Sequence, residues 1–323
     1  MASLRLIMMG TGDFAVPTFR ALYGTPHRVV GLYTQPDRTG PGKHKHHANL
    51  MKQLALEHGT PVFQPQNVNL PEELDGLRSL GADVFVVAAY GQILSPELLT
   101  IPRLAAINVH ASLLPKYRGA SPVAYAILKG ETQTGVSIIQ VLPRLDAGPI
   151  LAVARTPIEP EETAGALEDR LAQLAVPLVP HVLQGIAAGK FEALPQEEGE
   201  VTRAPKLRKE MGVIDWARPA IELDWHVRGM QPWPNAHTFS HVSGRPEQRL
   251  VVLAVKPEPS QKSAAAPGTV VRADKEGLWV QTGDGVLRLV RVQPDGKKPM
   301  SGDEYLRGNP LRPGDRLGPS VAS

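Results

Sequence analysis

The chain has 323 residues, a formal net charge of +3 and no cysteine. That length exceeds what a single hydrophobic core usually serves, so two domains are expected, and the missing thiols exclude disulfides, cysteine nucleophiles and cysteine metal sites. No apolar run approaches the roughly 20 residues of a membrane span, and the first residues lack a signal-peptide pattern, so a cytoplasmic protein that avoids membranes is expected.

Residues 4–9 predict a buried strand, turned by Gly10-Thr11-Gly12. Residues 13–23 have helical apolar spacing, with Asp13 placed as the N-cap. The run Gly10-Thr11-Gly12-Asp13-Phe14-Ala15 matches the dinucleotide fingerprint, and Asp37, beyond a second strand at 29–34, offers a ribose acid. A carboxylate at position 13 would repel a pyrophosphate, which favours a tight turn with a capped helix over nicotinamide binding. Residues 36–47 form a Gly/Pro-rich basic loop. His44, His46 and His47 have no carboxylate or cysteine close by, which favours a loop that meets an anion, or one merely solvated, over a metal site. No metal is expected.

Further strands are predicted at 83–88, 104–109 and 135–141, with helices near 48–57, 71–79 and 122–128 and a long helix over 164–188. Strands alternating with helices predict an α/β fold, a doubly wound and mostly parallel sheet. On the fourth strand Asn108 and His110 share a face, because successive strand residues point to opposite sides. Open α/β sheets bind ligands at the carboxyl ends of their strands. An amide and an imidazole there suit carbonyl polarisation and proton transfer, while a hydrogen-bonded structural histidine is the plain alternative. Asp146, in Leu145-Asp146-Ala147-Gly148 after the fifth strand, would fall close to His110 in such a sheet, or serve as a turn residue. Ser112 lacks the nucleophile-elbow motif, so no nucleophilic triad is indicated.

Residues 192–210 are polar and carry both charge signs, which predicts a linker between a catalytic domain at 1–191 and a second domain at 211–323. Short β-rich runs at 250–256, 268–273, 277–282 and 285–293, with a hairpin turn at Gly283-Asp284-Gly285, predict a small β-barrel or β-sandwich. Residues from Gly308 onward are expected to be irregular. From Ala204 to Ser323 there are 18 Lys+Arg against 13 Asp+Glu, a surplus that suits a polyanionic partner.

Asn108-Val109-His110, Ser112-Leu113-Leu114-Pro115-Lys116-Tyr117-Arg118-Gly119 and Leu145-Asp146-Ala147-Gly148 together resemble the folate-dependent formyltransferases. The resemblance implies a Rossmann-like catalytic domain, a catalytic trio at Asn108, His110 and Asp146, and a folate pocket lined by Ser112, Leu113, Leu114 and Pro115. Ala89-Tyr90-Gly91-Gln92-Ile93-Leu94, Lys206-Leu207-Arg208-Lys209-Glu210 and Gln293-Pro294-Asp295-Gly296-Lys297-Lys298-Pro299-Met300 extend it over essentially the whole chain, toward members that act on a charged tRNA. It then implies an OB-like C-terminal β-barrel that contacts tRNA. The formyl group of 10-formyltetrahydrofolate would pass to the α-amino group of initiator methionyl-tRNA, without a metal and in a monomer. Family members carry Gly-Arg-Gly-Lys in the loop that meets the acceptor end; here the run is Gly40-Pro41-Gly42-Lys43. Pro41 supplies no guanidinium, so Arg38, Lys43 and Lys45, with Lys206 of the linker, are the candidate tRNA contacts. Three other readings stay open. A formyltransferase acting on a small amine or amino sugar would not need a basic second domain, a nicotinamide-dependent oxidoreductase would use Gly10-Thr11-Gly12, and a non-enzymatic RNA-binding module would leave the Asn/His/Asp set without a role.

Overall fold

The computed structural model describes residues 3–37, 49–190, 192–242, 244–260 and 263–320. The chain opens with β1 (Arg5–Gly10), α1 (Val16–Leu22), β2 (Arg28–Tyr33), α2 (Leu50–Glu57) and β3 (Val62–Phe63). It continues through α3 (Pro71–Ser79), β4 (Val84–Ala88), α4 (Pro96–Leu99), β5 (Ala105–His110) and α5 (Pro122–Leu128). Then come β6 (Gln133–Gln140), β7 (Ile150–Pro157), α6 (Ala164–Ala175) and α7 (Leu178–Ala187).

These strands form one sheet of order β3-β2-β1-β4-β5-β6-β7. The first five run parallel; β6 is antiparallel to β5, and β7 to β6. The expected mostly parallel, doubly wound sheet is present. Its strand order reverses between β1 and β4, the place where such sheets open a crevice at their carboxyl ends. All five residues of β4 are buried, as befits a central parallel strand covered on both faces. Gly10 closes β1 where the chain is crowded: a Cβ there would stand 2.7 Å from the Ala88 carbonyl oxygen.

Local chemistry fixes the helices. The Asn49 side chain accepts from the Lys52 amide and caps α2. Pro71 starts α3, with Glu72 and Glu73 in its first turn and Arg78 in its last, each favourable to the helix dipole. Two expectations need correction. Asp13 is not a cap: it is the first residue of a 3-10 turn, Asp13–Ala15, with Gly12 at the capping position and no side-chain cap bond. The long helix expected over 164–188 is two helices, because Pro177 lacks the amide that would continue the ladder and stands at the start of α7. Strands β3 and β7 were not predicted. β3 has only two residues, and β7 is a half-exposed edge strand although it opens with the apolar run Ile150-Leu151-Ala152-Val153-Ala154.

The chain divides into two compact units. One holds Met1–Pro122, Gln133–Pro157 and Glu168–Pro205; the other holds Val123–Thr132, Ile158–Leu167 and Lys206–Ser323. Residues 192–205, expected as the start of a linker, thus fall in the first unit, with β1 to β7.

The second unit is built on α8 (Ala220–Gly229), β8 (His237–His241), β9 (Gln248–Glu258), β10 (Val270–Asp274) and β11 (Gly277–Gln281). It ends with β12 (Val286–Pro294), β13 (Met300–Ser301), α9 (Gly302–Gly308) and β14 (Arg316–Gly318). Its antiparallel sheet has the order β10-β11-β12-β9-β8-β14, with β13 beside β12. The sheet curls as a half-barrel, and Thr269, just before edge strand β10, bridges to Arg316 of edge strand β14. β11 and β12 are joined through the predicted Gly283-Asp284-Gly285 turn, where the Thr282 hydroxyl donates to the Gly285 carbonyl at 2.7 Å. The tail past Gly308 is not wholly irregular, because β14 pairs with β8. Ile214, Trp216, Leu223, Val227, Leu250 and Leu287 lie in this unit's core, and Leu128 of α5 packs against it.

Candidate active site

β5 sets the first two groups. In the ladder Asn108 is level with Val87 of β4 and Ile139 of β6, and His110 is level with Ser137. Pleating puts Asn108 and His110 on one face, Asn108 half-buried and His110 only 5% exposed. The chain then turns through residues 112–116, and hydrogen bonds hold that turn. The Ser137 hydroxyl donates to the Ser112 carbonyl at 2.7 Å and accepts from the Leu114 amide at 3.1 Å. The Ser112 hydroxyl donates to the Lys116 carbonyl at 2.7 Å.

This turn brings the Tyr117 carbonyl to 3.0 Å from His110 Nε2. A carbonyl oxygen only accepts, so Nε2 carries the proton of that bond. Nδ1 is left for chemistry, and the carboxylate of Asp146 lies on its side, with Oδ2 at 3.7 Å. Asp146 comes from the connection between the antiparallel pair β6 and β7, and its side chain is only 9% exposed. Its backbone takes φ +49°, a left-handed conformation that Asp tolerates better than most residues. Oδ2 also accepts the Gly119 amide at 2.8 Å. Two residues on, a Cβ at Gly148 would fall 1.7 Å from the Gln140 carbonyl oxygen, so only glycine fits there. The sheet thus brings His110 and Asp146 together, with Asn108 on the same strand face.

Of the residues assigned to the folate pocket, Ser112 is fully buried with its hydroxyl engaged, and Leu114 is buried. Leu113 and Pro115 are half-buried. Lys206 is exposed. Arg38, Lys43 and Lys45, like His44, His46 and His47, lie outside the described residues. Among the described residues no group of three or more His, Cys, Asp or Glu is arranged to hold a metal ion. Thr11 of the glycine turn accepts the Gln35 amide at 3.0 Å and donates to the Tyr90 carbonyl at 3.4 Å, tying together the ends of three strands.

The sequence reading missed a group behind Asp146. Arg118, its side chain 4% exposed, donates through Nε and Nη2 to Gln196 Oε1 at 3.0 and 2.8 Å, and to Glu198 at 3.1 Å. Gln196 Nε2 donates to the carbonyls of Asp146 and Gly148 at 2.8 and 2.7 Å. Glu198 also accepts from Arg144 at 2.7 Å. The bond from Arg118, aided by Arg144, holds the Glu198 carboxyl below its ordinary range. The sequence carries no clear signal for this group, because Arg118 stands in the basic run Lys116-Tyr117-Arg118 and only its burial shows that the guanidinium requires a partner.

A family model described as formyl transferase matches residues 4–183, and one described as formyl transferase, C-terminal domain, matches residues 206–310. The methionyl-tRNA formyltransferase of Moorella thermoacetica is 43% identical over 317 residues, covering 98% of this chain and 99% of that protein. That of Bacillus subtilis is 40% identical over 315 residues, covering 97% and 98%. Among solved structures, HypX from Aquifex aeolicus in complex with tetrahydrofolic acid has a TM-score of 0.62 at 18% identity, over 94% of this chain and 47% of that one. The N-formyltransferase from Helicobacter canadensis, in complex with folinic acid and dTDP-3-aminofucose, has a TM-score of 0.64 at 16% identity, over 88% and 99%. At such identities the structural likeness is one of fold alone.

Proposed function

Since the chain belongs to the methionyl-tRNA formyltransferase family, we propose that Asn108, His110 and Asp146 carry the transfer of a formyl group from 10-formyltetrahydrofolate to methionine on the initiator tRNA. This assignment is carried by one observation: His110 offers Nδ1 toward the Asp146 carboxylate while its Nε2 is committed to the Tyr117 carbonyl.

The methionine amine attacks as the neutral base. Its lone pair forms the new C–N bond at the formyl carbon, and the formyl oxygen becomes an oxyanion. The Asn108 amide and a proton on His110 Nδ1 stabilise that charge. Asp146 orients the imidazole and assists removal of the amine proton, directly or through water. Collapse of the intermediate breaks the bond to the folate nitrogen, which leaves with a proton as tetrahydrofolate. No step requires a metal. Leu113 and Pro115 supply apolar contact for the folate. The basic surplus of the C-terminal part, with exposed Lys206, meets tRNA phosphates, which give affinity rather than base readout.

The test is formyl transfer from 10-formyltetrahydrofolate to charged initiator tRNA, comparing the native chain with His110→Ala and Asp146→Ala. Turnover by the native chain and losses of order 10²-fold or more in both variants are expected. Variants as active as the native chain would remove these residues from the chemistry.

A further inference from the structure

We infer that Gln196 is a positioning residue for the transfer reaction, holding the Asp146 turn so that its carboxylate faces His110. The inference rests on the proposed role of Asp146.

The side chain of Gln196 has no freedom in its assignment. Its oxygen faces a guanidinium, which only donates, and its nitrogen faces two carbonyl oxygens, which only accept. A flipped amide would oppose like partners at both ends. Both amide hydrogens are spent on one turn, at residues 146 and 148. Asp146 within that turn has a left-handed backbone, a conformation less favourable than an ordinary turn even for Asp, and the two bonds from Gln196 help to hold it.

The bonds close a ring. Arg118 holds Gln196 through its side chain; Gln196 holds the backbone of Asp146; the Asp146 carboxylate accepts the amide of Gly119, the residue after Arg118. A second clasp runs beside it, with Glu198 joining Arg118 to Arg144 at the start of the same turn. The segment carrying Gln196 and Glu198 is itself fixed. Arg118 N donates to the Thr202 carbonyl at 2.9 Å, Ala204 N donates to the Arg118 carbonyl at 2.8 Å, and the Tyr117 amide donates to the Thr202 hydroxyl at 2.8 Å. Tyr117 is also the residue whose carbonyl accepts from His110. One segment therefore stands behind both members of the His110–Asp146 pair.

The test is a double-mutant cycle on formyl transfer in the full chain, with Gln196→Glu and, separately, Gln196→Met. Glu keeps the contact with Arg118 and turns an oxygen toward the two carbonyls; Met keeps the length and donates nothing. In the native background both are expected to lower kcat by about 10- to 100-fold with the KM for 10-formyltetrahydrofolate and for charged tRNA held within about twofold. In an Asp146→Asn background the same changes are expected to alter kcat by less than about twofold, because a residue acting through Asp146 has nothing left to act on. Equal losses in both backgrounds would mean a general structural role and overturn the inference, as would an unchanged kcat in the native background. If Asp146→Asn alone leaves kcat intact, the catalytic role of Asp146 fails first and takes this inference with it. Unchanged KM values with a lowered kcat also show that the variants are folded.

Discussion

The amide of Gly119 and the carboxylate of Asp146 meet at 2.8 Å, through the same oxygen that faces His110 Nδ1 at 3.7 Å. Gly119 sits at φ +129°, and a Cβ on it would stand 2.5 Å from the Ala204 carbonyl oxygen. Gly119→Ala is therefore expected to push the two backbones apart and loosen the carboxylate. We expect a stability loss of order 2 kcal/mol in urea unfolding and a kcat lowered by about tenfold or more. Native kcat in this variant would show that Asp146 needs no such anchor.

Ser137 is fully buried and serves two backbone groups of the 112–116 turn. In Ser137→Ala the Leu114 amide and the Ser112 carbonyl lose that partner. Each buried orphan costs about 1–3 kcal/mol, so a loss of about 2 kcal/mol or more is expected, together with a raised KM for 10-formyltetrahydrofolate. A variant with unchanged folate KM would separate this turn from the donor pocket.

His226 in the second unit is pushed down to about 4, first by burial and next by Arg218, and its Nε2 has no hydrogen-bond partner. Above pH 6.5 the imidazole is neutral folded and unfolded, and its contribution is complete. As pH falls from 6.5 to 4 the unfolded chain takes up the proton first, so stability is lost across that window, by about 3 kcal/mol in total. All four tryptophans, at 216, 225, 233 and 279, belong to this unit, so their emission follows its unfolding. His226→Asn is expected to flatten the dependence between pH 6.5 and 4; an undiminished slope would assign it to other groups.

Added salt is expected to raise the KM for charged tRNA steeply and leave that for the folate nearly unchanged, because only the tRNA term releases counterions. Lys206→Ala is expected to raise the tRNA KM and reduce the slope of log KM against log salt by about one unit. A parallel response of both substrates to salt would speak against phosphate contacts.

Much of the fold was legible because burial leaves a strong mark. The apolar runs of β1, β4 and β5 are central strands, and the alternation at Asn108 and His110 follows from the pleat alone. Asp146 reaches the same site because β6 runs antiparallel beside β5, a pairing that sequence implies only through a chosen sheet order. Short or edge elements were lost: β3 and β14 have two and three residues, too few for a period to show. The division between α6 and α7 was legible in Val176-Pro177 and was overridden by the longer helical period. Asp13 illustrates a different limit, because a residue with cap chemistry cannot cap when the chain inserts a 3-10 turn before the helix. Gln196 was hidden by its polarity, which looks the same in a solvated tether and in a half-buried clasp.

The placement of residues 192–205 bears on how the two units can be separated or exchanged. The two family models stop at 183 and resume at 206, leaving those residues to neither. A catalytic fragment ended at 191, where composition changes, would discard Gln196, Glu198 and Thr202 and with them the support of Asp146 and Tyr117. A junction after Pro205 keeps that support whole. An exchange of the chain beyond Pro205 therefore has its splice point there, and it must also match Val123–Thr132 and Ile158–Leu167, which belong to the second unit and stay with the catalytic fragment.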